Sequence, residues 1–188
     1  MSSFESDVLT ACAPTIFGVK YGTLFSCPKE DIINLENINK KYSVLLLEKD
    51  IYIKPLYQCK NRQFILAYRK KELIKALSDK KVSAFLKKEG YPVENNLDTE
   101  KMLDFLAVRI MANNSFPHEI GFFLGYPTED VFGFIKNKGN NYKLCGYWKV
   151  YDNVKKARTL FENIAMSSEN MKRIILSKKS FPLIISAA

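Results

Sequence analysis

Apolar positions along the chain alternate between two rhythms, one of helical spacing and one of short continuous runs. Phe4 to Cys12 reads as a short helix, with Ser2 or Ser3 as its cap, Glu5 and Asp7 in its first turn, and Pro14 as its stop. Thr15 to Ser26 mixes aromatic and β-branched residues with Gly18 and Gly22, which predicts a loop leading into a strand near Thr23 to Ser26. Ile32, Leu35, Ile38, Tyr42 and Leu45 recur at helical spacing after Pro28, so a helix is expected from about Lys29 to about Leu47. Val44 to Leu47 also fits a strand, and helix is the preferred reading. Ile51 to Tyr57 and Gln63 to Tyr68 read as two strands joined through Lys60 and Asn61, with Pro55 placing the first at a sheet edge.

Two helical stripes follow, Leu73, Ile74 and Leu77, then Val82, Phe85 and Leu86, separated at Ser78 and Asp79 and closed by Gly90. After a polar loop at Tyr91 to Leu97, Asp98 or Thr99 caps a helix that turns Leu103, Leu106 and Ile110 to the core, and Asn113 and Asn114 break the chain. Ile120 to Tyr126, bounded by Pro117 and Pro127, has the continuous apolar character of a strand buried on both faces. Thr128, Glu129 and Asp130 then suit the start of a helix and Gly139 its end, which predicts a strand-turn-helix over residues 119–138. Tyr142 to Tyr151 alternates as one strand, in which Gly146 marks a bulge or a close backbone approach. Asp152 caps an amphipathic helix carrying Val154, Ala157, Phe161 and Ile164. A short helix around Met171 to Leu176 and a packed strand or ordered arm at FPLIISAA complete the tail.

About five strands among six or seven helices make the chain α/β or α+β, with the strands expected in a mixed sheet flanked by helices. A length of 188 residues suits a single domain, residues 168–188 forming a C-terminal arm. The hydrophobic share of 47% provides for a packed core and argues against disorder. No run approaches a membrane span, and the acidic Glu5 and Asp7 spoil any signal-peptide pattern, so a cytoplasmic location without membrane attachment is expected.

Composition adds a net charge of +9, carried mostly by Lys. Its densest cluster, Lys70, Lys71, Lys75, Lys80, Lys81, Lys87 and Lys88, is either a solvated face or a docking surface for nucleic acid or an acidic protein. The four Cys, at 12, 27, 59 and 145, have no CxxC spacing, so zinc-ribbon and thioredoxin readings lose their support.

The strongest cluster of chemistry is the segment FPHEIGFFLGYPTEDVFGFIKNKG, which holds the only His of the chain. His118 at the mouth of the expected strand suits acid–base or metal chemistry, and Glu119 beside it points to the opposite face if both lie in that strand. No HExxH, P-loop or GxGxxG pattern is present. Tyr126 and Thr128, in the turn from Gly125 to Thr128, present a helix start to an anion, and Cys145 and Trp148 bring a thiol and a stacking surface. His118, Glu119, Tyr126, Thr128, Cys145 and Trp148 are thus the candidates for binding an unspecified small ligand. Cys12, Cys27, Cys145 and His118 are the candidate set for a metal or redox site, should the fold bring them together. Each has a plainer alternative as a packed or capped residue, and no reaction or cofactor is named by the sequence.

FPHEIGFFLGYPTEDVFGFI followed by CGYWKVY, with CAPT and LFSC nearer the amino end, resembles a bacterial family of uncharacterised proteins known as a domain of unknown function. The resemblance runs from about Cys12 to about Phe161. It implies no activity and no catalytic residues. Members tend to carry His just before the first Cys, where this chain has Ala11, so a site using that His is altered here.

Overall fold

The computed structural model describes residues 2–94, 97–113, 115–177 and 180–187. The loop expected over 91–97, the break at Asn113 and Asn114, and the basic tail segment therefore fall partly outside the described residues. The fold is α+β, and the chain divides into two compact units, one of residues 1–70 and 162–188, the other of residues 71–161.

The first unit opens with α1 (Ser3–Ile16), where Ser2 and Glu5 form a reciprocal capping box. Pro14, expected to stop this helix, lies inside its last turn. Strands β1 (Gly22–Pro28), β2 (Ile51–Cys59) and β3 (Arg62–Arg69) form an antiparallel sheet in the order β1-β3-β2, and α2 (Ile32–Glu48) connects the first two. The ambiguous Val44 to Leu47 is helical. Central β3 buries the run Ile65 to Tyr68, whereas Pro55 lies on edge strand β2 beside a register shift.

Arg69 fastens this unit at a point that the apolar pattern does not show. Its guanidinium donates to the carbonyls of Thr15 (2.8 Å) and Ile16 (2.6 Å) at the end of α1 and of Lys49 (2.9 Å) at the end of α2. One cation thus serves the negative ends of two helices and their orphan carbonyls. The tail after Glu162 continues α8 (Val154–Leu176), so the helix expected at Met171 is the last part of a longer one. FPLIISA forms helix α9 (Phe181–Ala187) instead of a strand. Met171, Ile184 and Ile185 join Leu9, Leu35 and Ile65 in one apolar core.

The second unit contains most of α3 (Lys70–Leu77), then α4 (Lys80–Lys88), α5 (Thr99–Asn113), α6 (Ile120–Phe123), α7 (Thr128–Asn137), strands β4 (Leu144–Cys145) and β5 (Lys149–Val150), and the first two turns of α8. Asp79 and Asp98 cap α4 and α5 through their carboxylates. Phe85, Phe122 and Phe132 pack edge to face, with ring centroids 5.2 to 6.0 Å apart.

Two expectations about this unit are corrected. Ile120 to Phe123 is a helical turn, not a strand, so residues 119–138 form helix, turn and helix. The amides of Phe122, Leu124 and Tyr126 bond to the carbonyls of Glu119, Ile120 and Gly121, so the segment satisfies its own backbone and needs no strand neighbour. An apolar run buried all round does not distinguish helix from strand. Tyr142 to Tyr151 is likewise not one strand but a tight antiparallel hairpin, β4 and β5, turning at Gly146 to Trp148. Among the described residues the five strands accordingly lie in two antiparallel sheets, not in one mixed sheet.

Candidate functional site

The site is built around a buried carboxylate. Gly125 takes φ +75°, a left-handed conformation open to Gly at little cost, and turns the chain from α6 toward α7. Pro127 occupies the cap position of α7 with no side-chain bond, so Thr128 begins the helix without capping it. Asp130, in the first turn and 3% exposed, accepts from Trp148 Nε1 through Oδ2 (2.8 Å) and from the amides of Tyr151 (2.7 Å) and Asp152 (3.0 Å) through Oδ1. Three N–H donors compensate a charge that would otherwise be costly to bury, and they fix the hairpin onto α7.

That fastening sets the orientation of Trp148. Its ring stacks on Tyr126 (centroids 4.9 Å apart, planes at 26°) and meets Phe161 edge-on (4.5 Å, 78°). Gly146 is the close approach suggested by the sequence, since a Cβ there would overlap the Phe161 ring; at Gly133 a Cβ would overlap Cβ of Tyr151. Asn153, not Asp152, caps α8 by accepting from the Lys156 amide (2.9 Å).

Between α6, α7 and the hairpin lies a cleft of about 380 Å³, a volume within the range of small-molecule sites. His118, Tyr126, Cys145 and Trp148 all line it, joined by Phe134 and Lys149. His118 is exposed and meets Phe134 edge-on at 5.0 Å; Cys145 is exposed on β4, directly opposite Lys149 on β5. Burial raises the pKa of the Tyr126 phenol, so Tyr126 is a neutral wall at physiological pH. The Lys149 ammonium donates to the Gly139 carbonyl (2.8 Å) and lies 4.9 Å from the Tyr142 ring centroid and 5.8 Å from that of Phe134.

Glu119 and Thr128 are not among the residues lining this cleft. Glu119, only 3% exposed, pairs with Arg109 Nε at 2.6 Å and accepts from the Tyr91 hydroxyl at 3.1 Å. Arg109 in turn reaches Glu89 at 3.0 Å. Burial works against the Arg109 charge, but Glu119, Tyr91 and Glu89 outweigh it and raise its pKa; burial first, and Glu119 second, raise that of Tyr91. This network joins α5 to the entry of α6. His118 faces a second cleft, of about 530 Å³, together with Arg109 and Glu119.

Cys12 and Cys27 are buried in the core of the first unit, whereas Cys145 and His118 belong to the second. Burial drives the Cys12 thiol pKa upward, away from the thiolate that a metal ligand needs. Among the described residues no group of three His, Cys, Asp or Glu is placed to hold a metal ion. Lys71, Lys75, Lys80, Lys81, Lys87 and Lys88 are exposed along α3 and α4, while Lys70 is half-buried with its ammonium 5.4 Å from the Tyr52 ring centroid. Asp130, Phe134, Lys149 and Arg109 are the residues that sequence reasoning missed. Asp130 was legible only as a carboxylate at a helix start, and nothing in its spacing announces Trp148 as its partner.

The family model described as "Protein of unknown function (DUF3793)" matches residues 8–185, and the chain belongs to that family. No curated protein and no solved structure matches it. Among the described residues, no helix is long and apolar enough to cross a membrane.

Proposed function

We propose that the second unit is a small-ligand-binding module whose site is the cleft between α6, α7 and the β4–β5 hairpin. The observation that carries this reading is convergence: His118, Tyr126, Cys145 and Trp148, distant in sequence, line one cleft of about 380 Å³ with aromatic walls. Asp130 preorganises those walls, which lowers the ordering cost of binding. A cytoplasmic setting is part of the proposal, because the exposed Cys145 thiol needs reducing surroundings to stay free.

Trp148 is the only Trp of the chain and lines the cleft, so it reports on occupancy directly. The neutral dye N-phenylnaphthylamine should bind with energy transfer from Trp148, and Tyr126→Ala should weaken that binding while the circular dichroism stays native. Dye binding without transfer from Trp148, or no binding at all, would refute the assignment.

The exposed lysines of α3 and α4 support a second reading, an accessory surface for nucleic acid or an acidic protein. Retention of single- or double-stranded nucleic acid that weakens steeply with salt is its expected signature. The absence of any retention at low salt, for nucleic acid and for an acidic polypeptide alike, removes it.

A further inference from the structure

The cleft has an imbalance of charge that narrows what it can hold. Among the described residues its one lining carboxylate, Asp130, has both oxygens engaged by three N–H donors. Among the same residues Lys149, by contrast, meets neutral groups: the Gly139 carbonyl and the faces of Tyr142 and Phe134. An ammonium has three N–H donors, and one carbonyl occupies one of them. The carbonyl and the two rings surround the head group, and its backbone is held in β5 by pairing with β4. The result is a half-buried cation at the wall of an apolar cleft, with donors to spare and, among the described residues, no carboxylate partner.

The wall itself favours flat ligands. Tyr126 stacks on Trp148 with planes inclined by 26°, and the edges of this pair line the cleft together with Phe134, a third ring beside Lys149. A planar ring system gains stacking and apolar burial here, while a cation would meet Lys149 at close range. Resting on the cleft reading above, we propose that the ligand is a planar aromatic anion, its rings against Tyr126 and Trp148 and its acidic group on the Lys149 ammonium. Charge-assisted hydrogen bonds of this kind are stronger than neutral ones, and they gain further where water is excluded.

Two dyes that share their rings and differ in charge test this assignment. Anilinonaphthalene sulfonate carries the anion and N-phenylnaphthylamine lacks it; both accept energy from Trp148. In low salt the sulfonate should bind about tenfold more tightly than the neutral dye. Added salt should erode that preference, because the anion's attraction is screened. Lys149→Met should abolish the preference, Lys149→Arg should retain it, and Lys75→Met, on the exposed face of α3, should change nothing. Equal affinities in the wild type, or a preference that survives in Lys149→Met, would overturn the anion assignment and leave the cleft reading intact. If Lys149→Met does not fold, the salt titration of the wild type decides: a preference indifferent to salt overturns the assignment. If neither dye receives energy from Trp148, the cleft reading fails and this inference fails with it.

Discussion

Trp148 and Asp130 meet through a 2.8 Å hydrogen bond between two side chains that are each nearly inaccessible to solvent. The indole donates to one oxygen of the carboxylate while two backbone amides occupy the other, so the aromatic wall of the cleft and the attachment of the hairpin depend on one residue. Asp130→Asn removes the charge and turns an amide group toward N–H donors. It should destabilise the second unit by about 2–4 kcal/mol, as expected for losing charge-assisted bonds and leaving buried donors unmatched. Trp148→Phe removes one donor and should cost less. Urea midpoints rank the two, and the emission of Trp148 in Asp130→Asn should move to longer wavelength. An unmoved spectrum with unchanged stability would show that the hairpin is held by other contacts.

Glu119 and Arg109 make a different kind of tie, in which two charges leave water together. Removing one member of such a pair strands the other. Arg109→Met should therefore cost about 2–4 kcal/mol, allowing for an Arg side chain that is 25% exposed against 4% for Glu119. Glu119→Gln in the same background should recover part of that loss, because the stranded carboxylate is gone. A double-mutant cycle by denaturant unfolding reads the coupling. Additive losses would mean that the two side chains act independently.

These two ties also show what the sequence makes legible. Caps, edge Pro and helical stripes are local, so Asp79, Asp98, Pro55 and the stripe Leu35, Ile38 and Tyr42 report their roles through their neighbours in sequence. Asp130 binds a side chain 18 residues away and Arg69 binds carbonyls 53 and 54 residues away, distances over which local patterning is silent. The same limit explains α6: Ile120 to Phe123 is apolar without alternation, and only its internal backbone bonds reveal a helix. Of the candidate ligand residues, four meet in the cleft because the helix-turn-helix and the hairpin both open toward it. Glu119 departs because its neighbour Arg109, on another helix, holds it in the interior.

Tyr91 ties stability to alkaline pH. Its phenol is buried at 3% exposure and donates to Glu119, and burial followed by the adjacent carboxylate raises its pKa above the usual 10.0. In the unfolded chain the phenol ionises near pH 10, while the folded chain retains the proton. The unfolded state then binds fewer protons, so the stabilisation is fully present below pH 10 and is lost as pH rises beyond it. Chemical unfolding at a series of alkaline pH values should show this fall, and Tyr91→Phe should flatten it at the expense of lower stability near neutrality. A fall of equal steepness in Tyr91→Phe would assign the alkaline limb to other groups.

Cys145 offers a chemical handle on the cleft. Among the four free thiols it is the exposed one, while Cys12 at 1% and Cys27 at 5% exposure are enclosed in the core of the first unit and Cys59 is half-buried. Reactivity follows thiolate population and access, and burial denies Cys12 both. A maleimide reagent should therefore modify Cys145 first in the native protein, with Cys12 and Cys27 reacting only in denaturant, as peptide mapping would record. The adduct attaches to a residue that lines a cleft of about 380 Å³, so it should occupy the space that a planar ligand needs. Modified protein should lose affinity for N-phenylnaphthylamine by about tenfold or more, a loss of at least about 1.4 kcal/mol, and Cys145→Ser should bind normally and resist the reagent's effect. If the adduct forms at Cys145 and dye affinity is unchanged, the ligand does not occupy the part of the cleft bounded by β4.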